Sequence, residues 1–367
     1  MPSIFIFVLL IIQIILFCVH FLIYKTIESV FLISNPTSLF TLKIVLGIFS
    51  VSFIVASIIA SRYYNAFTRM FYTGSSVWLG FVLYLFFAVC VYWLAVALIN
   101  FPLGMLSSAL LGKILFSLAI IAGVYGLVHA EILVVNSSKI HVPNMPFAWQ
   151  GKKVVWISDV HLGQIHGRAF SEKIVEKVNE LRPDIIFIGG DLYDGEEVDI
   201  KNVTEPFSKL NAPWGTYFIT GNHEEFSNNE KYLTEVRNVG ITTLNNEKKE
   251  IQGVSIIGVD YKDSSDRKKF EEILRSLVDK SKPNILLKHV PFDLDIAEKA
   301  GINIQLSGHT HRAQMWPLSF ITKLVYKGYD YGLKPFGNMM IYTSDGVGTW
   351  GPPLRVGTNA EILLIEF

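Results

Sequence analysis

Charged residues are scarce in this 367-residue chain, and they are scarcest in its first third. Asp, Glu, Lys and Arg make up 17% of the residues, whereas hydrophobic residues make up 51%. The charged residues up to position 131 are Lys25, Glu28, Lys43, Arg62, Arg69, Lys113 and Glu131. A composition this apolar is untypical of a soluble protein and indicates a membrane-embedded part.

Excess basic charge and cysteine are also lacking, and each absence excludes a class of protein. Beyond position 131 the chain has 27 basic and 30 acidic residues, so we expect no nucleic-acid partner. The two cysteines, Cys18 and Cys90, both lie in apolar runs. A disulfide framework is therefore not expected.

The apolar residues of the first third form four stretches, near Ser3–Tyr24, Leu39–Ala60, Ser76–Leu98 and Lys113–Val135. Each is long enough to cross the hydrocarbon core of a bilayer, which takes about 20 helical residues. No polar face interrupts them, which argues against buried helices of a soluble protein. The first could be a signal peptide, but it lacks a basic start and a small-residue cleavage site. We predict a four-helix transmembrane anchor over residues 1–135.

The charges between the apolar stretches predict the orientation of the anchor. Arg62 and Arg69, with no acid between them, mark the second loop as cytoplasmic. Lys25, Lys43 and Lys113 fall on the other side, so the bias is modest. An even number of spans puts both ends of the anchor on one side. We therefore expect a multi-pass protein of the (inner) cell membrane whose remaining domain is cytoplasmic.

Residues 136–150 form a proline-containing connection, after which short β-branched runs alternate with polar helical patterns. This alternation is typical of an α/β domain, here over residues 151–367. The predicted strands are Lys153–Ile157, Ile185–Ile188, Tyr217–Ile219, Val254–Gly258, Ile285–Leu287, Ile304–Leu306, Met340–Thr343 and Glu361–Ile365. The predicted helices are Ser171–Leu181, Asn229–Asn238, Arg267–Asp279 and Phe292–Lys299.

Polar clusters follow five of these strands, at the edge where α/β folds carry their sites. Because residues i and i+2 at a strand end point the same way, Asp159 with His161 and His309 with His311 can converge on one cavity. A pair of divalent ions needs such a mixture of imidazole and oxygen ligands. One cluster alone could be a turn or a surface residue, but five together predict a dinuclear metal site. The clusters are Asp159-Val160-His161, Gly190-Asp191, Gly221-Asn222-His223-Glu224, His289-Val290-Pro291 and Gly308-His309-Thr310-His311.

The ordered motifs D-x-H, G-D, G-N-H-E, H-x-P and G-H-T-H resemble those of the calcineurin-like metallophosphoesterases, from about Lys152 to the chain end. The ending GVGTWGPPLR resembles a membrane-associated branch with UDP-2,3-diacylglucosamine pyrophosphatases and transmembrane metallophosphoesterases. The resemblance implies a four-layer α/β fold, a β-sandwich flanked by helices. It also implies the ligands, which are Asp159, His161 and His311 for one metal ion, Asn222, His289 and His309 for the other, and Asp191 as the bridge.

The implied activity is hydrolysis of a phosphodiester or pyrophosphate bond with two divalent ions. Manganese is favoured by the resemblance, and iron, zinc or magnesium are alternatives. His223 is expected to protonate the leaving group or to contact a phosphate oxygen, and Asn222 to donate to the phosphate. Arg168 and Arg355 are further candidates for substrate binding. Arg168 is equally well interpreted as a solvated residue at a helix start, and His166 as a surface residue.

Three residues depart from the pattern of the family. Arg312 stands where a glycine is common, Lys288 where a small or polar residue is usual, and Asp345 where this branch often has a basic residue. An Asp345 that faced the pocket would disfavour a strongly anionic headgroup.

The segment 315–336 is unusually apolar and aromatic, and it contains Lys323, Lys327 and Lys334. This composition is typical of segments at a membrane interface. It predicts the bilayer as a partner and a lipid-linked phosphate as substrate. The alternative is that the segment packs on the core of the domain or against the anchor. A second class of function also stays open, a non-catalytic membrane sensor or binding module, although the complete ligand motifs argue against it.

Overall fold

The computed structural model describes residues 2–98, 105–195, 197–225 and 229–367. It divides the chain into two compact units. The first consists of Met1–Val128 with Gly351–Leu354, and the second of His129–Trp350 with Arg355–Phe367.

Four long helices make up most of the first unit: α1 (Pro2–Val30), α2 (Pro36–Ala60), α3 (Ala66–Leu98) and α4 (Met105–Ala130). All four are long and apolar enough to cross a membrane, and only 22–33% of each span is buried in protein. An apolar surface of this extent requires an apolar solvent. The prediction of four apolar helices is confirmed, and they make this a membrane protein.

Close approach and polar contacts hold these helices together. A Cβ atom on Gly112 of α4 would lie 2.2 Å from a methyl carbon of Val30, so only glycine lets the helices pack this closely there. Trp78 Nε1 donates to His20 Nε2 over 3.0 Å, and Trp93 Nε1 donates to Thr26 Oγ1 over 2.9 Å. Such bonds satisfy indole groups that have no partner in an apolar solvent.

The second unit is built from two six-stranded sheets and the helices beside them. In the described residues its strands are β1 (Leu133–Lys139), β2 (Lys153–Ile157), β3 (Ile185–Ile188), β4 (Thr216–Phe218), β5 (Thr242–Thr243), β6 (Glu247–Ile251), β7 (Val254–Gly258), β8 (Asn284–Leu287), β9 (Ile304–Ser307), β10 (Gly332–Phe336), β11 (Met339–Thr343) and β12 (Ala360–Glu366). Its helices are α5 (Arg168–Glu180), α6 (Ile200–Thr204), α7 (Asn222–Glu225), α8 (Asn229–Asn238), α9 (Tyr261–Ser264), α10 (Arg267–Leu277), α11 (Leu294–Ala300) and α12 (Ser319–Val325).

The strand order is β1-β12-β2-β3-β4-β5 in one sheet and β10-β11-β9-β8-β7-β6 in the other. The two sheets share a core, since alternate residues of both belong to one buried cluster, such as Val154 and Trp156 of β2 with Ile256 of β7. Alternation places these side chains on one face of each sheet. The opposite face of the second sheet is covered by α10 and α11, where Leu286 packs with Phe270. This confirms the α/β sandwich flanked by helices.

The predicted connection at 136–150 requires a correction. Its first residues belong to β1, which pairs with β12 in parallel from Leu133↔Ala360 to Lys139↔Glu366. The second unit therefore starts at His129, ahead of the predicted boundaries at 135 and 150. Leu133, Val134 and Val135 continue the apolar run of α4, so hydropathy alone could not separate strand from helix.

Candidate metal centre

The five polar clusters meet at the carboxyl ends of parallel strands. In the first sheet β2, β3 and β4 run parallel, and in the second sheet β7, β8, β9 and β11 do. Their ends lie at the same edge of the sandwich, where backbone groups and loops can converge on a ligand. All seven predicted metal ligands lie there, in the loops after β2, β3, β4, β8 and β9.

The first group of ligand atoms belongs to Asp159, His161 and His311, which all lie within 4.8 Å of one another and are buried. His161 Nε2 lies 3.0 Å from His311 Nε2, and His311 Nε2 lies 3.5 Å from Asp159 Oδ1. Two ring nitrogens and a carboxylate oxygen thus face one point. This is the trio that the family resemblance assigns to one metal ion.

The second group consists of Asp191, His289 and His309, also within 4.8 Å. Asp191 Oδ2 lies 3.1 Å from His289 Nε2 and 4.0 Å from His161 Nε2 in the first group. A carboxylate oxygen between both groups is suited to bridge two cations. Asn222, at the start of α7, is 7% exposed, and its Oδ1 has no hydrogen-bond partner among the described residues.

Most of these residues adopt a strained backbone conformation. Asp159, His161, Asp191, His309 and His311 all have φ between 44° and 69°. For residues other than glycine this left-handed region costs about 1–3 kcal/mol each, and such strain concentrates at functional sites. The glycines beside them permit close contact. A Cβ atom on Gly221 would lie 2.2 Å from Asp191 Oδ1.

The electrostatics of the cluster suit cations. Burial lowers the pKa of His161 and His311, and it lowers that of His309 to about 3, so these imidazoles are neutral and offer lone pairs. Burial alone would raise the pKa of Asp191, but His289 lowers it well below its usual range. Burial likewise lowers the pKa of His289, but Asp191 and Asp159 outweigh it and raise that pKa to about 10, so a protonated His289 lies beside an ionised Asp191. Three neutral imidazoles and an ionised carboxylate, with an unpaired amide oxygen, fit two divalent cations, and a cation held by His289 would replace its proton.

Asp194 is a supporting residue that the sequence analysis missed. Its Oδ1 lies 3.1 Å from His161 Nδ1, while its backbone carbonyl accepts a hydrogen bond from His223 Nδ1 over 2.7 Å. One residue therefore orients both a predicted ligand and the predicted acid, as carboxylates do around metal-bound histidines. Burial raises the pKa of Asp194 to about 7, partly offset by His223. The position of Asp194, three residues after Asp191 and in the same loop, was the feature of the sequence that indicated a supporting role.

Glu224 is the second supporting residue that was missed. Its carboxylate accepts hydrogen bonds from the backbone N–H groups of Asp191, Tyr193 and Gly221 over 2.8–3.1 Å, and its side chain is fully buried. It thereby joins the loop after β3 to the loop after β4. The motif G-N-H-E contained this residue without revealing what it binds.

The structure does not support the two arginines as substrate contacts. Arg168 starts α5 and forms ion pairs with Glu172 and Glu205, so it matches its alternative interpretation as a helix-start residue. Arg355 is 0% exposed, and its Nη2 lies 2.5–2.9 Å from the carbonyl oxygens of Asp345, Gly346 and Gly348. Its Nη1 donates to Thr358 Oγ1 over 3.3 Å, so both terminal nitrogens of Arg355 hold a loop rather than a phosphate.

The interpretation of His166 as a surface residue is wrong. It is 5% exposed, its ring stacks on Phe170 with centroids 4.2 Å apart, and its Nε2 bonds to Thr349. Burial lowers its pKa to about 3. A neutral ring can accept the backbone N–H of Thr349, which explains why a histidine is tolerated here.

The three departures from the family pattern have structural partners. Arg312 and Asp345 form an ion pair, with Asp345 0% exposed. Asp345 therefore does not face the pocket as an unpaired charge. Lys288 is buried, and its Nζ donates to the carbonyl oxygens of Val290 and Phe292 over 3.2 and 2.7 Å.

The segment 315–336 divides into an exposed and a packed part. From Trp316 to Val325 its large apolar side chains are mostly exposed, including Phe320, Ile321 and Leu324. From Tyr329 onward, Tyr329 and Phe336 pack on a hydrophobic core, as the alternative interpretation required. Between the two parts, the Tyr326 ring lies edge-on to His309 with centroids 6.4 Å apart. The segment thus borders the metal cluster.

The domain that carries this site is similar to known proteins. The family model of the calcineurin-like phosphoesterases matches residues 152–313. An uncharacterized metallophosphoesterase of Helicobacter pylori is 36% identical over 219 residues, which are 58% of this chain and 59% of the relative. One from Campylobacter jejuni is 31% identical over 265 residues, covering 69% and 70%. A transmembrane protein with metallophosphoesterase domain from Danio rerio is 30% identical over 259 residues, covering 66% and 59%.

The chain belongs to the calcineurin-like metallophosphoesterases. This family implies a dinuclear divalent metal site, which the two groups of Asp and His residues fit. The matched region spans about three fifths of the Helicobacter relative, so the activity of a whole relative does not transfer to this chain.

Proposed function

We propose that this protein hydrolyses a phosphodiester or pyrophosphate bond in a membrane lipid or a lipid-linked nucleotide, a class that includes UDP-2,3-diacylglucosamine. The observation that carries the proposal is an exposed apolar helix, α12, in the segment that contacts the metal cluster. Its neighbour Tyr326 lies against His309 and stacks on Phe292 with centroids 4.7 Å apart. Phe292 is itself 43% exposed.

We call the exposed side chains of this helix and its approach the α12 surface. Each is more than half exposed, with Leu324 at 80%. Contiguous apolar surface on a water-soluble domain marks a binding region, and the nearby Lys323 and Lys327 suit anionic headgroups. The surface therefore favours a substrate whose acyl chains lie in a bilayer while its phosphate reaches the metals. The α12 surface consists of Trp316, Phe320, Ile321, Leu324 and Val325.

The side chains of the site have distinct parts in the reaction. When bound, a metal pair supplies a nucleophile from water at neutral pH and stabilises charge on the phosphoryl oxygens. His223 Nδ1 donates to the Asp194 carbonyl, so the proton for the leaving oxygen would be that on Nε2 of the doubly protonated ring. Burial lowers the pKa of His223, and Asp191 and Asp194 partly offset this. Asn222 lies beside His223 at the start of α7, where its amide can orient a phosphate oxygen.

The alternative function, a non-catalytic sensor or binding module, has no specific observation in its favour. Such a module needs no bridging carboxylate and no oriented acid, yet Asp191, Asp194 and His223 are all kept in hydrogen-bonded positions. Metal-dependent turnover of bis-p-nitrophenyl phosphate by the purified protein would exclude it. Binding of the ester without turnover would favour it.

The lipid part of the proposal is tested by making the α12 surface polar. In a triple variant Trp316→Ser, Phe320→Ser and Leu324→Ser, we expect activity on a diacylated substrate to fall far more than activity on bis-p-nitrophenyl phosphate. The reason is that only the first substrate needs the apolar contact. Phe147→Ser, at an aromatic residue 85% exposed elsewhere in the same unit, is the matched control.

Three outcomes of this test differ in meaning. If both activities fall together with loss of the folded state, the surface is core packing. If neither changes, the lipid proposal loses its physical support while phosphoester hydrolysis stands. Lipid profiling of cells that lack the protein would then identify the substrate class directly.

We also propose that the domain lies in the cytoplasm, on the inner side of the cell membrane. The support is the charge of Arg62 between α2 and α3 and of Arg69 in the first turn of α3, together with four helices that are each long enough to span the bilayer.

A further inference from the structure

Trp350 is the exposed end of an otherwise buried stretch. Every residue from Ile341 to Thr349 is buried, whereas Trp350 is 58% exposed. Its ring lies edge-on to that of His223, with centroids 5.9 Å apart. A large aromatic side chain thus stands in solvent directly beside the side chain proposed to protonate the leaving group.

The backbone that carries this side chain is held from two sides. Gln314 pairs with both polar backbone atoms of Trp350. Its Oε1 accepts from Trp350 N over 2.5 Å, and its Nε2 donates to Trp350 O over 3.1 Å. Gln314 itself is 4% exposed and follows the predicted ligand His311 by three residues. The backbone from which the indole projects is therefore tied to the metal loop.

The preceding residues of the same loop are held by further buried side chains. His166 bonds to the backbone N and the hydroxyl of Thr349 over 3.1 and 2.9 Å. Arg355 holds the carbonyl oxygens of Asp345, Gly346 and Gly348. The loop 345–350 is thus fixed along its length, and presenting Trp350 in a defined place costs little entropy on binding.

We infer that Trp350 is a specificity-determining residue that contacts the leaving group of the substrate and selects leaving groups with an extended apolar surface. The inference rests on the proposed function for the role of His223. Since His223 would give its proton to the leaving oxygen, the group attached to that oxygen has to pass the neighbouring indole. A flat indole held in place favours apolar and ring-bearing groups over small polar alcohols.

The first test compares two methyl phosphate diesters with the full-length protein in detergent and Mn²⁺. One releases 1-naphthol and the other trifluoroethanol. For Trp350→Ala we expect KM for the naphthyl ester to rise about 10-fold, the upper range for an aromatic contact, with kcat nearly unchanged. The trifluoroethyl ester should be affected by less than about threefold. Trp350→Phe should restore the naphthyl KM, and Phe147→Ala should change neither substrate.

A binding measurement separates this inference from the proposed function. 1-Naphthylmethylphosphonic acid cannot be hydrolysed at its C–P bond, and its affinity is followed by naphthalene fluorescence polarisation. Suppose that Trp350→Ala binds this ligand with a Kd about 10-fold weaker, while the wild-type protein turns over neither ester. The inference about Trp350 would then stand, and the proposed hydrolase activity would be refuted. An unchanged Kd would overturn the inference. Equal losses of kcat for both esters would also overturn it, because they would make Trp350 a support of the loop.

Discussion

Arg312 Nη2 donates a hydrogen bond to Asp345 Oδ2 over 2.9 Å, and this ion pair joins two of the positions at which the chain departs from its family pattern. Arg312 also donates to the carbonyl of Gly357 and lies over the Tyr331 ring, 4.1 Å from its centroid. Because Arg312 follows His311, the pair connects the metal loop after β9 with the loop after β11. The two unusual residues are best understood as a compensating pair that holds these loops together.

Protonation of Asp345 makes the free energy of unfolding of the protein depend on pH in a direction that can be tested. Burial raises the pKa of Asp345 to about 7, and Arg312 and Arg355 only partly offset this. In the unfolded chain the pKa of this carboxyl is about 4. Between pH 4 and pH 7, roughly, Asp345 is therefore protonated in the native state and ionised in the unfolded state. Stability is then greatest at low pH and falls as pH rises through the window, by up to about 1.4 kcal/mol per pH unit.

Asp345→Asn removes this dependence. The melting temperature of the variant should therefore rise relative to that of wild type as the pH is raised from about 5 to about 8. Thermal unfolding at a series of pH values measures it, with the exposed Glu271→Gln of α10 as the control. A variant that instead loses stability relative to wild type at higher pH would mean that Asp345 is ionised in the native protein.

Asp191→Asn should nearly abolish hydrolysis and reduce bound metal. Asp191 Oδ2 faces both ligand groups, and the amide keeps the shape while losing the charge that bridges two cations. Metal analysis and turnover of bis-p-nitrophenyl phosphate with and without chelator measure both effects. Asp279→Asn, at a half-buried acid after α10 and outside the cluster, should leave them unchanged. Two bound ions and near-normal turnover in Asp191→Asn would end its assignment as the bridge.

His223→Ala should lower kcat by about 10²–10⁴, the usual range for a general acid, while metal content stays normal. The loss should shrink with a good leaving group, since such a group departs without a proton. His141→Ala, which removes an exposed histidine outside the site, is the control. Equal losses for good and poor leaving groups would show that His223 stabilises phosphate charge instead.

A C-terminal fusion to green fluorescent protein should fluoresce, and a fusion to alkaline phosphatase should be inactive. This expectation follows from Arg62 in the loop before α3, Arg69 in the first turn of α3 and an even number of spans. The opposite pattern would place the domain outside the cytoplasm. Cleavage of the first helix would have the same consequence, because three spans would remain.

The candidate ligands of the site could be predicted because they occur in short sequence motifs that directly follow strands. Asp159 and His161 follow one strand closely, and His309 and His311 follow another, so each pair stays at the sheet edge where the strand ends. The four apolar helices are predictable for a similar reason, since composition over about 20 residues decides whether a helix tolerates water.

Other features depend on contacts between residues far apart in the chain. Arg355 is a conspicuous charged residue in the sequence, but only the fold places it among the carbonyl groups of residues 345–348. His166 is polar and lies in a loop, yet Phe170 and Thr349 bury it. The first residues of β1 are apolar like those of α4, so hydropathy does not separate the strand from the helix. Only the pairing of β1 with β12 identifies it as a strand.

The sequence by itself thus determined the membrane helices, the order of the predicted ligands and the family. The tertiary structure decided which polar residues support those ligands, as with Asp194 and Glu224, and which side chains remain in solvent beside them, as with Trp350. The physical reason is the distance along the chain over which each feature is determined. Residues close in sequence determine a strand end or an apolar helix, whereas burial and hydrogen bonding depend on residues that are distant in sequence and meet only when the sheets pack.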